Sequence, residues 1–212
     1  MEWRGPWPGP GDAVWEKPLT RSEKAFAAAL AAMLKEMDFG DVRVTDILAR
    51  SGFSRNAFYA RYADKYDLAS RMIEHELSHF VQHTVDYVRA LEQGGDGSLP
   101  LAVQVDHYQH IYDHRDLYDA ILDSRLPGLT LDEFCGRLSL LLKERIHPLP
   151  PAETRGVDAE MYGYVTIYAS FACVKYWRLR GYQLTAEDIA RQVEAFLRPG
   201  LPLMRCKPSP AV

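Results

Sequence analysis

VRVTDILARSGFSRNAFYARYADK, residues 42–65, is the stretch on which the fold turns. Its first half sets Ile47 and Leu48 among polar neighbours, as the inner face of a short helix requires. Gly52 supplies backbone free to take the positive φ of a tight interhelical turn. Ser54 stands where a hydroxyl caps the next helix. That helix has two faces: Phe58 and Tyr62, four apart, suit a core, while Arg55, Asn56, Tyr59 and Arg61 are left for the outside. The pattern predicts two short helices, near 42–50 and 55–61.

Outward from there the chain reads as helices separated by breakers. Thr20 and Glu23 form a capping-box pattern, and Phe26, Leu30, Met33, Leu34 and Met37 recur at helical spacing, predicting a helix over 20–38. A long helix over 64–92 runs to the GGDGS break at 94–98. Further helices are expected over 99–113, 116–125, 131–146, 154–180 and 185–197, with breakers at Pro127-Gly128, Pro148-Leu149-Pro150-Pro151 and Gly181. No alternating pattern competes, so the expected class is all-α. Residues 1–18 hold four prolines, three glycines and Trp3, Trp7 and Trp15, a composition that keeps neither helix nor central strand, and are read as a flexible extension.

Composition narrows the functional classes. With 47% hydrophobic and 25% charged residues, the chain of 212 residues reads as an ordinary globular protein rather than a disordered one. No stretch approaches the ~18 apolar residues of a membrane span, and the N-terminus lacks the apolar core of a secretory signal. Cys135, Cys173 and Cys206 are odd in number and form no CxxC, which points away from a disulfide framework and towards a reducing cytoplasm. The net charge of −4 is unevenly placed: residues 19–68 carry eight Lys/Arg against seven Asp/Glu, and residues 69–212 carry fifteen against nineteen. The first segment can meet a polyanion if its cations share one face. No catalytic triad order, carboxylate pair or phosphate loop supports an enzyme.

A helix entering the major groove brings N-terminal side chains to base edges and polar groups to flanking phosphates. Arginine reads guanine and asparagine reads adenine, each with two hydrogen bonds. On Ile47, Gly52, Ser54, Tyr59, Tyr62 and Lys65, the stretch resembles the DNA-binding domain of the TetR family of transcriptional regulators, over about residues 20–70 by motif and beyond that by helix layout. The resemblance implies a helix-turn-helix domain at 19–66, a ligand-binding and dimerisation domain at 67–200 and a tail at 201–212. It implies that Arg55, Asn56 and Ala57 lie nearest base edges, and that Tyr59 and Lys65 hold phosphates, Lys65 with help from a helix N-terminus. Arg61 is a further outward candidate. Arg43 stands where the family often has Ser or Thr, which leaves Asp41 or Thr45 to cap the helix and Arg43 to reach a phosphate. Ala57 stands where a hydroxyl residue is frequent, removing one contact.

In the second domain, residues 159–181 are apolar nearly all round, so that helix is expected to be buried on more than one side. The resemblance makes it and the last helix a four-helix dimer interface, with Tyr168, Phe171, Trp177, Ile189, Val193 and Phe196 as its expected residues. A dimer spaces two reading helices ~34–36 Å apart, one DNA turn. Tyr108, Tyr112, Tyr118, Phe134, Tyr162 and Tyr164 are the candidate lining of an apolar effector pocket, although aromatic residues also dominate ordinary cores.

Six of the seven histidines fall in two groups. His75, His79 and His83 lie on the side of their helix opposite Ile73, Leu77 and Phe80, and are expected at solvent or at the domain junction. His107, His110 and His114, spaced i, i+3 and i+7, could share a metal, with Asp106 or Asp113 nearby; the alternative is a polar helix edge, and no metal or cofactor is assigned. The expected protein is a cytoplasmic homodimer that binds a palindromic double-stranded DNA operator and a small-molecule effector, acting as a repressor. Two alternatives stay open: a co-activator or partner-binding protein of the same fold that meets no DNA, and a helical metal protein or enzyme built on the histidines.

Overall fold

The computed structural model describes residues 19–94, 98–148, 158–197 and 204–206. The expected extension at 1–18, most of the tail at 201–212 and the side chain of Phe196 lie outside the described residues. The helices are α1 (Arg21–Met33), α2 (Val44–Ser51), α3 (Arg55–Tyr59), α4 (Lys65–Glu92), α5 (Ser98–Asp113), α6 (Arg115–Leu122), α7 (Leu131–Arg145), α8 (Ala159–Leu179) and α9 (Ala186–Leu197). Each expected helix is present, some trimmed at the ends. Two three-residue strands, β1 (Ile146–Pro148) and β2 (Met204–Cys206), pair antiparallel. That ribbon was not foreseen, because three residues are too few to show a period of two.

The first three helices enclose one aromatic knot. The Phe26 ring on α1 meets Phe58 at 5.2 Å and Tyr62 at 6.1 Å, both edge-on, and Phe53 from the α2–α3 turn at 5.6 Å. Edge-to-face rings add to the area they bury, and burial pushes the Tyr62 hydroxyl up to about 12. The expected capping box holds: the Thr20 hydroxyl accepts from the Glu23 N–H while the Glu23 carboxylate accepts from Thr20 N–H. Gly52 ends α2 at φ +73°, where a Cβ would be strained, and the Ser54 side chain accepts from Ala57 N–H. α3 is one turn long and stops at Tyr59, so Arg61 falls past its end.

The long α4 leaves this knot and runs through the rest of the molecule, packing against α5 and α7, while α5 packs closely on α9. Phe80 of α4 stacks on Phe171 of α8 at 5.1 Å and meets Phe134 of α7 edge-on at 5.9 Å. Trp177 is fully buried, held by Tyr108 and Tyr112 and by its own Nε1 donating to the Leu184 carbonyl. Two ties join the first three helices to the body: Lys35 pairs with Asp116 of α6 at 2.9 Å, and Arg125 donates to the Leu34 carbonyl at 2.7 Å.

Candidate nucleic-acid interface

The outward face of α3 is what the two-faced pattern requires. Phe58 is fully buried and anchors the helix, while Arg55, Asn56 and Tyr59 are exposed, Tyr59 by 49%. Arg55 lies 6.0 Å above the Tyr59 ring, so the two present one cationic and aromatic surface. Arg43 and Thr45 at the start of α2 are exposed as well. Among the described residues Arg43 and Arg55 hold no ion pair, whereas Arg50 donates three hydrogen bonds to the Glu36 carboxylate and Arg61 leans towards Glu23 at 4.0 Å. Cations with no internal partner are the ones an external anion can recruit.

Four details add to the sequence reading. Lys65 donates to the carbonyls of Phe39, Gly40 and Val42 at 2.8, 2.9 and 2.8 Å, which uses all three ammonium donors. It ties the α1–α2 turn to α4. The start of α4 is likewise occupied: Asp64 accepts from the N–H groups of Tyr66 and Asp67, so its carboxylate sits where an incoming anion was expected. Neither Asp41 nor Thr45 caps α2; the N-cap is Arg43, with no side-chain hydrogen bond. Ala57 is half-buried and packs against the core.

The aromatic residues expected to line one pocket do not meet around one space. Tyr108, Tyr118 and Phe134 are buried in the core, with Tyr108 and Tyr112 around Trp177 and Phe134 against Phe80. Tyr162 is half-buried, and Tyr164 is exposed, its hydroxyl donating to Tyr168, which in turn donates to Asp132. The expected dimer residues are corrected too. Phe171, Trp177, Ile189 and Val193 are buried within the chain, so they hold α8 and α9 to the body and cannot form a surface. Tyr168 is half-buried at the edge. The face that α8 leaves outside carries Met161, Val165, Ala172, Tyr176 and Leu179, the last 77% exposed. Apolarity all round the helix hid which side was which.

A cleft of about 490 Å³ opens at the seam between α1 and the α4–α5–α6 corner, lined among others by Lys24, Met72, His75, Glu76, His110 and His114. None of the six expected aromatics lines it. His75, His110 and His114 reach the cleft, and the two histidine groups interlock instead of pointing apart. His79 stacks on His110 at 3.5 Å and lies 5.4 Å from His107, while His83 stacks on His107 at 3.8 Å. His79 and His83 face α5, because α4 is covered on a second side that its single apolar stripe did not reveal, whereas His75 lines the cleft at the seam. Burial lowers His79 to about 4 and His83 to about 3, and His107 falls well below the usual imidazole range.

Glu76 escaped the sequence reading. It is 2% exposed, and its Oε2 accepts from His110 Nε2 at 2.7 Å and from the Tyr118 hydroxyl at 2.5 Å. Burial pushes this carboxyl up, but the hydrogen bonds from His110 and Tyr118 and the nearby imidazoles of His110 and His75 outweigh it and hold the group well below the carboxylate range. The signal was available: with Ile73, Leu77 and Phe80, position 76 completes an i, i+3, i+4, i+7 stripe, so a carboxylate stands where the pattern calls for an apolar residue.

No family model and no curated protein matches the chain. Among solved structures it is similar to the fatty acid degradation regulator FadR from Bacillus halodurans, with a TM-score of 0.60 and 16% identity, over 88% of this chain and 100% of that one. It is also similar to a TetR-family transcriptional regulator of Syntrophomonas wolfei str. Goettingen, described there as putative, with a TM-score of 0.54 and 15% identity over 85% and 94% of the two chains. The dihydroxyacetone kinase operon activator DhaS gives a TM-score of 0.53 at 15% identity, over 85% and 96%. The chain therefore has the helical fold of TetR-type transcriptional regulators. Among the described residues no helix is long and apolar enough to cross a membrane.

Proposed function

We propose that the protein is a ligand-responsive, dimeric DNA-binding regulator, a repressor that leaves its operator when a small molecule binds. The observation that carries the reading is the outward face of α3: Arg55, Asn56 and Tyr59 are exposed on a helix anchored from behind by Phe58, and Arg43 at the start of α2 is exposed as well. Those side chains suit base edges and phosphates in a major groove. Dimerisation is supported by the outward stripe of α8, where Met161, Val165, Tyr168, Ala172, Tyr176 and Leu179 recur at steps of three and four. Such a stripe suits a second copy of the same helix. The cleft at the α1–α4–α6 seam suits the effector, since its volume is that of a small-molecule site and it touches both domains. An occupant there works against the Lys35–Asp116 and Arg125–Leu34 ties and alters the tilt of α4, and with it the spacing of the two α3 helices. By linkage, operator and effector weaken each other equally.

The test is a gel shift with the DNA upstream of the protein's own gene. Wild type binds, and Arg55→Ala and Tyr59→Phe weaken binding without loss of helicity. A second reading, a partner-binding protein of the same fold, is favoured by the internal engagement of Lys65 and Asp64. Absence of any binding to genomic fragments at low salt would decide for it.

A further inference from the structure

We propose that Glu76, His110 and His114 form a site for one divalent transition-metal ion of the zinc class at the floor of the seam cleft. The ligand atoms of these three residues lie within 4.8 Å of one another, on α4, near the end of α5 and at the turn into α6. Two imidazoles and one carboxylate are a donor set suited to zinc or cobalt, with metal–ligand bonds of ~2.0–2.2 Å. Tetrahedral bonds of that length set ligand atoms about 3.3 Å apart. The His110–Glu76 contact of 2.7 Å therefore opens by roughly half an ångström to admit the ion.

The surroundings orient the ligands as a metal site requires. His114 Nδ1 sits 2.9 Å from the His110 carbonyl, which fixes the tautomer that leaves Nε2 as the free lone pair. The His110 ring is clamped by its stack on His79. Tyr118 donates to Glu76 Oε2, and His75 Nδ1 lies 3.5 Å from Oε1, too far for a strong hydrogen bond. All three ligands line the cleft, so a fourth coordination position opens into it, free for water or for a donor atom of an effector. The ion would join α4, which starts at the DNA-facing helices, to the turn before Asp116, whose partner Lys35 follows α1. Its effect on DNA rests on the regulator reading; its uptake does not.

The experiment uses the full chain stripped of metal by chelator and titrated with Co2+ in the absence of DNA. One Co2+ per chain, with the intense visible absorption of a four- or five-coordinate ion and displacement by Zn2+, is the expected result. His114 is exposed, so His114→Ala keeps the fold and lowers the affinity at least a hundredfold. No visible band, or a band unchanged in His114→Ala, overturns the site. In a second arm, one equivalent of Zn2+ shifts operator affinity at least fivefold in wild type and not in His114→Ala. Metal bound with operator affinity unmoved overturns the coupling, whereas absence of any operator binding with the Co2+ band intact refutes the regulator reading and leaves the site standing.

Discussion

The Lys65 ammonium, at the first residue of α4, is 2.8 Å from the carbonyl of Val42, just before α2, and closes the corner between α1, α2 and α4 with two further carbonyl bonds. Those carbonyls belong to a turn with no strand or helix to receive them, so the lysine satisfies main-chain acceptors that water would otherwise have to reach. Lys65→Met should accordingly lower the unfolding free energy by about 1.5–3 kcal/mol, the range for hydrogen bonds to a charged group. Urea denaturation checks it. Unchanged stability, with a salt dependence of DNA binding shallower by about one phosphate contact, would show that the side chain serves DNA instead.

Arg55 carries the opposite expectation. It is exposed and lacks an ion pair among the described residues, so Arg55→Ala should leave the thermal midpoint within a degree or two. On operator DNA the same change should cost about 1–3 kcal/mol and relax the preference at one base pair, as loss of a two-hydrogen-bond contact does. Binding titrations against a set of single-base operator variants read it. Equal weakening on every sequence would place Arg55 on a phosphate.

The two sides of α8 separate a core from an interface. Trp177 is enclosed by Tyr108, Tyr112 and Tyr182, so Trp177→Ala should destabilise the fold by about 3–5 kcal/mol. Leu179, two residues on and largely exposed, should tolerate Leu179→Glu in the monomer. That charge, with Val165→Glu on the same stripe, should turn a dimer into a monomer in sedimentation at micromolar concentration. A dimer that survives both changes places the interface elsewhere.

How much of this was legible follows from which signals are local. The helices, the Gly52 turn, the Ser54 cap and the division of α3 into an inner Phe58 and an outer Arg55 depend on spacings of one to four residues, and the chain spells those out. Which side of α8 is inside does not, because a helix apolar all round carries no phase; only its packing on α4 and α7 assigns Phe171 inward and Val165 outward. The histidines show the same limit. The angular spread of His75, His79 and His83 was readable, but that α5 covers this second face of α4 is a contact between positions about 30 residues apart. Lys65 was placed correctly on its helix, but its hydrogen bonds to the Phe39–Val42 turn were missed, since a turn that folds back onto it leaves no mark in local spacing.

The stacked pair His83 and His107 sets an acid limit on the fold. His83 is brought to about 3 and His107 well below the usual range, chiefly by burial. Their ring contacts are Phe80, Tyr87, Tyr108 and His79, and the buried Glu194 carboxylate beyond Tyr87 is taken up by the Tyr87 hydroxyl. Both are neutral in the native chain, whereas in the unfolded chain they take up protons near pH 6.5. The native-state contribution is therefore complete above about pH 6.5 and is lost as pH falls, towards the folded value of about 3 for His83. Each group should contribute a slope of up to about 1.4 kcal/mol per pH unit across that window. Urea midpoints between pH 7.5 and 4.5 should decline, and His83→Asn, which carries no titrating ring, should flatten the decline by about one proton. A profile that is level from pH 7.5 to 5, or identical in the variant, shows that the stacked pair opens to water and protonates in place.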